Sequence, residues 1–245
     1  GIHARTKPLN SCQMSKPYFD LSYEYDQMLE KGIRLSGEDK HYFIEHRVQD
    51  LASNLPRDFH PLRILDFGCG IGDTSSHLAK AFPGAEVVGT DNAESALDHA
   101  RGKHGSSRVS FIHLDNFVET GTFDLCYVNG VFHHIRPDLL PPTVKRIHKA
   151  LKPGGFFALF ENNPWNLGTR MVMSRIPFDR DARLLSPFNC RNLLREGGFD
   201  CSRPIRSLFY FPRFLAFLRF SEPWLANLLL GCQYYVLAVK PGGPR

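Results

Sequence analysis

Apolar positions change rhythm near residue 63 and again near residue 186. Between 18 and 55 they recur at mixed three- and four-residue spacing: Tyr18, Phe19, Tyr23, Tyr25, Met28, Leu29, then Tyr42, Phe43, Val48, Leu51 and Leu55. That period predicts helix, and Gly32 and Ser36-Gly37 divide it into at least two. From Arg63 onward, short apolar runs alternate with amphipathic segments. The pattern predicts strands at 63–67, 86–90, 109–114, 123–129 and 156–160, with helices at 73–82, 93–103 and 141–151. Pro83-Gly84 and Lys152-Pro153-Gly154-Gly155 stop two of these helices. Strands alternating with ten-residue helices form βαβ units on a parallel sheet, so the class is α/β.

The tail reads differently. Ser186 as N-cap with Pro187 behind it predicts a helix to Glu196, ended by Gly197-Gly198. Strands are expected at 201–207 and 233–240. Between them, 208–230 is very apolar, with Phe209, Tyr210, Phe211, Phe214, Phe217, Phe220 and Trp224, broken by Pro212, Arg213, Arg219, Glu222 and Pro223. The spacing Phe214, Phe217, Leu218 predicts one apolar helix face. The sheet or a partner subunit would cover it, or the segment would meet a membrane surface or lipid.

Composition narrows the class without changing it. A chain of 245 residues suits one large domain, or one domain with a small cap. Hydrophobic residues at 42% and charged residues at 22% exclude a disordered chain. No charge-free apolar run is long enough to span a membrane. The six cysteines are scattered without a C-x-x-C pair, which gives no metal site and favours reduced thiols in the cytoplasm. No secretory signal is expected; residues 1–17 read as a disordered or appended tail, with Met14 a candidate natural start. Residues 183–245 carry nine Lys/Arg against three Asp/Glu, while 1–182 carry 21 against 22. The surplus of +5 therefore lies at the C-terminal end and is too mild to imply nucleic acid.

The strongest local signal is Asp66-Phe67-Gly68-Cys69-Gly70-Ile71-Gly72, between a strand and a helix. The glycines permit a tight turn and close approach to a ligand. The third comes one residue early for the dinucleotide fingerprint, and Asp66 is a poor neighbour for a pyrophosphate but a good one for a cation. S-adenosylmethionine suits it better: Asp66 can pair the ammonium, and Asp91 at the second strand end can accept from the ribose hydroxyls. Asp115 and Asn116 follow the third strand, where a polar pair can read adenine.

With ILDFGCGIG, VVGTD, HLDN, FDLCYVNGVFHHI and LKPGGFFALFE in order over 62–161, the chain resembles the class I S-adenosylmethionine-dependent methyltransferases. The resemblance implies a Rossmann-like, seven-stranded, mostly parallel sheet with the last strand antiparallel and helices on both faces. It implies a helical lid over 18–60, a methyltransferase domain over 61–245 and a substrate-side insertion at about 161–185. It further implies that Asp66, Gly68 and Gly70 line the methionine moiety, Asp91 and Asn92 the ribose, and Asp115 and Asn116 the adenine, with Asn129 near the transferring methyl. Tyr25 leads the aromatics that would close the lid, and Arg47 would meet the cofactor carboxylate.

His133 and His134, after the fourth strand, are candidate general bases for an oxygen or nitrogen acceptor, with His134 preferred. Glu161 ends the fifth strand on the ligand side, Asn162 and Trp165 follow it in the loop, and all three would touch substrate. Arg170 and Arg175, with Arg180 and Arg183 beyond, could recognise a phosphate or carboxylate, or pair with Asp179 and Asp181. The expected acceptor is a small molecule, such as a glycan, a lipid-linked intermediate or a secondary metabolite; an oligomer would be compatible. The rival readings are a protein that binds S-adenosylmethionine without catalysis and, less favoured, a nicotinamide-dependent oxidoreductase.

Overall fold

The computed structural model describes residues 32–33, 36–174 and 183–242. Its centre is a seven-stranded sheet in the order β3-β2-β1-β4-β5-β7-β6. The strands are β1 (Arg63–Phe67), β2 (Glu86–Asp91), β3 (Val109–His113), β4 (Phe123–Asn129), β5 (Leu151–Asn162), β6 (Arg206–Leu208) and β7 (Gln233–Val239). β1 to β5 pair in parallel, and β7 runs antiparallel between β5 and β6. Apolar runs such as Leu125–Val128 and Phe156–Phe160 are buried without alternation, as a sheet covered on both faces requires.

Helices supply the covers. On one face lie α1 (Lys40–Asn54), α2 (Asp73–Ala81) and α3 (Glu94–His104), whose Ile44, Val48, Leu51, Leu78 and Leu97 join Ile64, Leu125, Phe156 and Phe160 in one core. On the other lie α4 (Leu140–Ala150) and, after the short α5 (Leu167–Met173), α6 (Pro187–Glu196). Their Val144, Ile147, Cys190 and Leu194 pack on Leu65, Cys126, Phe157 and Val236. Ser186 caps α6 by accepting from the Asn189 amide at 3.2 Å. α1 starts where Asp39 accepts from the Tyr42 amide at 2.8 Å. The described part of the expected lid is thus an integral layer of the core.

Three expectations change. β5 begins at Leu151 rather than 156, because the Pro153-Gly154-Gly155 turn stays in register: Gly154 donates to the Lys240 carbonyl and Lys240 to that of Gly155. β6 is only three residues long, and before it the chain touches β7 through one bridge, Asp200 to Val239. The apolar segment 208–230 is not a continuous α-helix. It is a 3-10 stretch, Arg213–Ser221, interrupted at Leu215, followed by the one-turn helix α7 (Glu222–Leu225). Pro212 and Pro223 carry no N–H and break the ladder a longer helix would need.

Sheet order reverses between β1 and β4, so the loops after these strands diverge and open a crevice at the carboxyl edge.

Candidate active site

β1 brings Asp66 to that crevice, and the chain turns through three left-handed glycines. Gly68, Gly70 and Gly72 have φ of 76°, 52° and 81°. A Cβ on Gly68 would lie 2.3 Å from Val131 Cγ2 and one on Gly72 2.6 Å from Phe111 Cζ, whereas one on Gly70 would meet nothing within 4 Å. Gly68 and Gly72 therefore serve close packing, and Gly70 faces open space. Asp91 fixes the loop: the Gly70 amide donates to its Oδ2 at 2.8 Å and the Ala93 amide to its Oδ1 at 3.0 Å.

Asp66 is buried, and Ser75 Oγ donates to its Oδ2 at 2.6 Å. Burial pushes this carboxyl up to about 7, against the Ser75 hydrogen bond and with help from the Asp91 charge. Burial raises Asp91 too, opposed by the amides of Ala93 and Gly70. At the end of β4, Asn129 Oδ1 is buried with no hydrogen-bond partner among the described residues. Across β3, His113 Nε2 meets the Asn92 carbonyl at 2.9 Å, and Asp115 and Asn116 stand exposed in the following 3-10 turn.

The turn after β4 is packed against the glycine loop by Val131 and holds both histidines. His133 Nδ1 lies 2.5 Å from Glu161 Oε2, and the Phe132 amide donates to Glu161 Oε1 at 2.8 Å. Both side chains of the pair are buried. A Cβ on Gly130 would stand 3.6 Å from His133 Cε1, so the imidazole edge borders the end of β4. His134 is half-buried, its ring centroid 4.1 Å from that of His133. Glu161, expected to touch substrate, is instead wholly buried, its carboxylate held by His133 and the Phe132 amide.

Arg47 also differs from its expected part. It is buried, with Nε donating to Tyr127 Oη at 3.2 Å and Nη1 to Gln233 Oε1 at 2.9 Å. Gln233 Nε2 in turn donates to Asn162 Oδ1 at 3.0 Å. This network ties α1 to β4, β5 and β7 at the carboxyl edge, and Tyr127 stands opposite Asp66 in the sheet register. Trp165 is part-exposed against Phe188, centroids 5.6 Å apart, and Arg170 is exposed on α5. Tyr18, Phe19, Tyr23, Tyr25, Arg175, Asp179, Arg180, Asp181 and the 1–17 tail with Met14 lie outside the described residues.

Known proteins resemble this chain in sequence and in fold. Residues 65–157 match the family model described as a methyltransferase domain. A trans-aconitate 2-methyltransferase of Variovorax paradoxus is 35% identical over 113 residues, 46% of this chain and 42% of that protein. A ubiquinone biosynthesis O-methyltransferase of Ruegeria pomeroyi is 31% identical over 166 residues, 62% of this chain and 64% of that protein. Among solved structures, an S-adenosylmethionine-dependent methyltransferase from Archaeoglobus fulgidus superposes with a TM-score of 0.64 at 17% identity, over 91% of this chain and 100% of that one. The chain has the fold of S-adenosylmethionine-dependent methyltransferases, with the methyltransferase-domain match lying over residues 65–157. It spans about half the length of several of the curated relatives it matches.

The residues at the carboxyl edge fit S-adenosylmethionine. A buried carboxylate suits an ammonium, Gly70 leaves room where a side chain would intrude, and the unpartnered Asn129 Oδ1 awaits a donor. Sequence reasoning missed Ser75, Tyr127 and Gln233. Tyr127 reads as an apolar strand residue, and only the rule that a buried phenol needs a partner could have flagged it.

Proposed function

We propose that this protein transfers a methyl group from S-adenosylmethionine to an oxygen or nitrogen of a small molecule. The observation that carries this reading is the Glu161–His133 pair on the turn that Val131 packs against the glycine loop. When bound, the cofactor supplies an electrophilic methyl on a sulfonium, so the chain's task is positioning and proton removal. Asp66 pairs the ammonium, Gly68 and Gly70 admit the methionine backbone, and Asn129 sits beside it. Asp91 and Asn92 take the ribose, and Asp115 and Asn116 flank adenine. Arg47 acts at one remove, by holding Tyr127 and Gln233 in place.

Glu161 fixes the His133 ring through Nδ1, and the adjoining pair His133–His134 takes the proton from an acceptor that carries one. Asn162, Trp165 and Arg170 line the acceptor side at the end of β5, where Arg170 suits an anionic group. The relatives named for trans-aconitate and for ubiquinone biosynthesis support a small-molecule acceptor. The test is incubation with S-adenosylmethionine and an acceptor panel that includes trans-aconitate, read by mass spectrometry. A one-methyl mass increase with stoichiometric S-adenosylhomocysteine is expected; cofactor binding with no methylated product across the panel would favour a non-catalytic binder.

A further inference from the structure

The segment between β6 and β7 is built inside out. Both strands meet it at the carboxyl edge, so it sits on the same side of the sheet as the glycine loop. Its polar groups turn inward: Arg219 donates to Glu38 Oε1 at 2.8 Å and to the Phe211 carbonyl at 3.1 Å, with its guanidinium 4.7 Å from the Tyr42 ring centroid. Glu222 Oε1 accepts from the Tyr210 and Phe211 amides at 3.2 and 3.1 Å. Its large apolar groups turn outward: Phe214, Phe217, Phe220 and Trp224 are 75%, 70%, 69% and 76% exposed. Leu228 and Leu230 continue the surface. The Asn166 side chain donates to the Leu230 carbonyl, which brings exposed Leu167 and Met171 of α5 alongside.

The segment's ends are fixed rather than loose. Phe209 and Leu229 both adopt left-handed backbone, with φ of 63° and 54°, a conformation that bulky side chains keep only where the surroundings impose it. Phe209 is wedged edge-on against Phe43, centroids 4.9 Å apart, and Tyr210 Oη donates to the Leu225 carbonyl at 2.6 Å. Fixed outward aromatics of this number exceed what a water-facing loop carries.

We propose that this surface docks the protein peripherally on an anionic lipid bilayer. Charge decides between occupants. Glu222, the only acid in 208–230, is turned inward, while Arg213, next to Phe214 in the chain, is exposed in the aromatic patch. Aromatic side chains flanked by arginine suit the headgroup–acyl boundary. No helix among the described residues is long and apolar enough to cross a membrane, so the contact is interfacial. This inference does not rest on the methyl-transfer reading.

The test is co-sedimentation of the full chain with vesicles of phosphatidylcholine alone or mixed with phosphatidylglycerol. In a Trp165→Phe background, the emission of Trp224 is recorded alongside. One exposed arginine in the patch predicts binding about fivefold tighter to the anionic vesicles, with a blue shift of Trp224. The triple variant Phe214→Ser, Phe217→Ser, Phe220→Ser should lose at least about tenfold in binding, and Arg213→Glu should weaken binding to anionic vesicles only. S-adenosylmethionine affinity, measured on each variant, reports that the fold is intact. Equal binding to neutral vesicles, no binding to either, or unchanged binding by the triple variant would overturn the proposal. So would a Trp224 shift that tracks protein concentration and dimer mass without lipid, which would assign the patch to a second copy of the chain.

Discussion

The proposed pairing of Asp66 with the cofactor ammonium makes binding a proton-linked event. The Asp66 carboxyl titrates at about 7 without ligand, whereas pairing with an ammonium requires it ionised. Below that value the fraction competent to bind falls tenfold per pH unit, so the apparent Kd of S-adenosylmethionine should be about tenfold weaker at pH 6 and about a hundredfold weaker at pH 5. An α-amino group loses its own proton near about 8, so affinity should peak between 7 and 8. The same shift bears on stability. A folded pKa above the unfolded 3.8 means that the contribution is fully present below about 4 and is lost as pH rises through about 7. The three-unit gap caps that loss at about 4 kcal/mol in the unliganded protein. Asp66→Asn should therefore raise the unliganded Tm at pH 8 while weakening cofactor binding and flattening its pH dependence. Isothermal titration calorimetry in buffers of different ionisation enthalpy reads the effect directly: nearly one proton released per cofactor at pH 6, and a net uptake of somewhat under about half a proton at pH 8, where the ammonium form is selected. A Kd constant from pH 5.5 to 7 with no proton release would refute the pairing of Asp66 with the ammonium.

Other substitutions separate the remaining roles. Gly70→Ala, at φ 52° with open space where its Cβ would go, should cost only about 1 kcal/mol in urea unfolding but at least about tenfold in cofactor affinity. Gly68→Ala, whose Cβ would collide with Val131, should lose about 2–5 kcal/mol of stability from strain and overpacking together; unchanged urea midpoints would contradict the packing described. Glu161→Gln should lower kcat about tenfold or more and move the pH profile while leaving the KM for S-adenosylmethionine in place; a loss confined to KM would remove Glu161 as the residue that positions His133. Asp73, buried where it accepts from Lys40, Lys103 and His104 at 2.8–3.0 Å, resists the upward push of burial and is held well below the usual carboxylate range. Its depressed value stabilises the fold above about pH 4 and ceases to do so as acid protonates it, so Asp73→Asn should cost about 3 kcal/mol at neutral pH, a gap that closes in acid-denaturation curves below pH 4.

Much of the frame was legible because it depends on local pattern. The apolar runs from Ile64 to Phe160, with glycines and prolines between them, specify strands and helices almost by themselves. Asp66 and Asp91 were readable because both end strands that precede glycine-rich or polar turns. What escaped depended on contacts distant in sequence. Arg47 meets Gln233 across 186 positions, and no spacing rule links them. Glu161 looked like a ligand-facing strand end, but its carboxylate is buried, held by His133 and the Phe132 amide. The tail misled in another way: Phe214, Phe217 and Leu218 carry a helical period, but Pro212 and Pro223 and the inward pull of Arg219 and Glu222 win over it, and the aromatic face is left outside.

The most direct measurement is a calorimetric titration of the purified chain with S-adenosylmethionine and, separately, with NAD. Saturable binding of S-adenosylmethionine at one site, weakened at least about tenfold by Asp91→Ala, which removes the proposed ribose acceptor and the anchor of the glycine loop, is the predicted result. Preference for NAD, or S-adenosylmethionine binding that is indifferent to both Asp66 and Asp91, would contradict the assignment of the carboxyl-edge crevice.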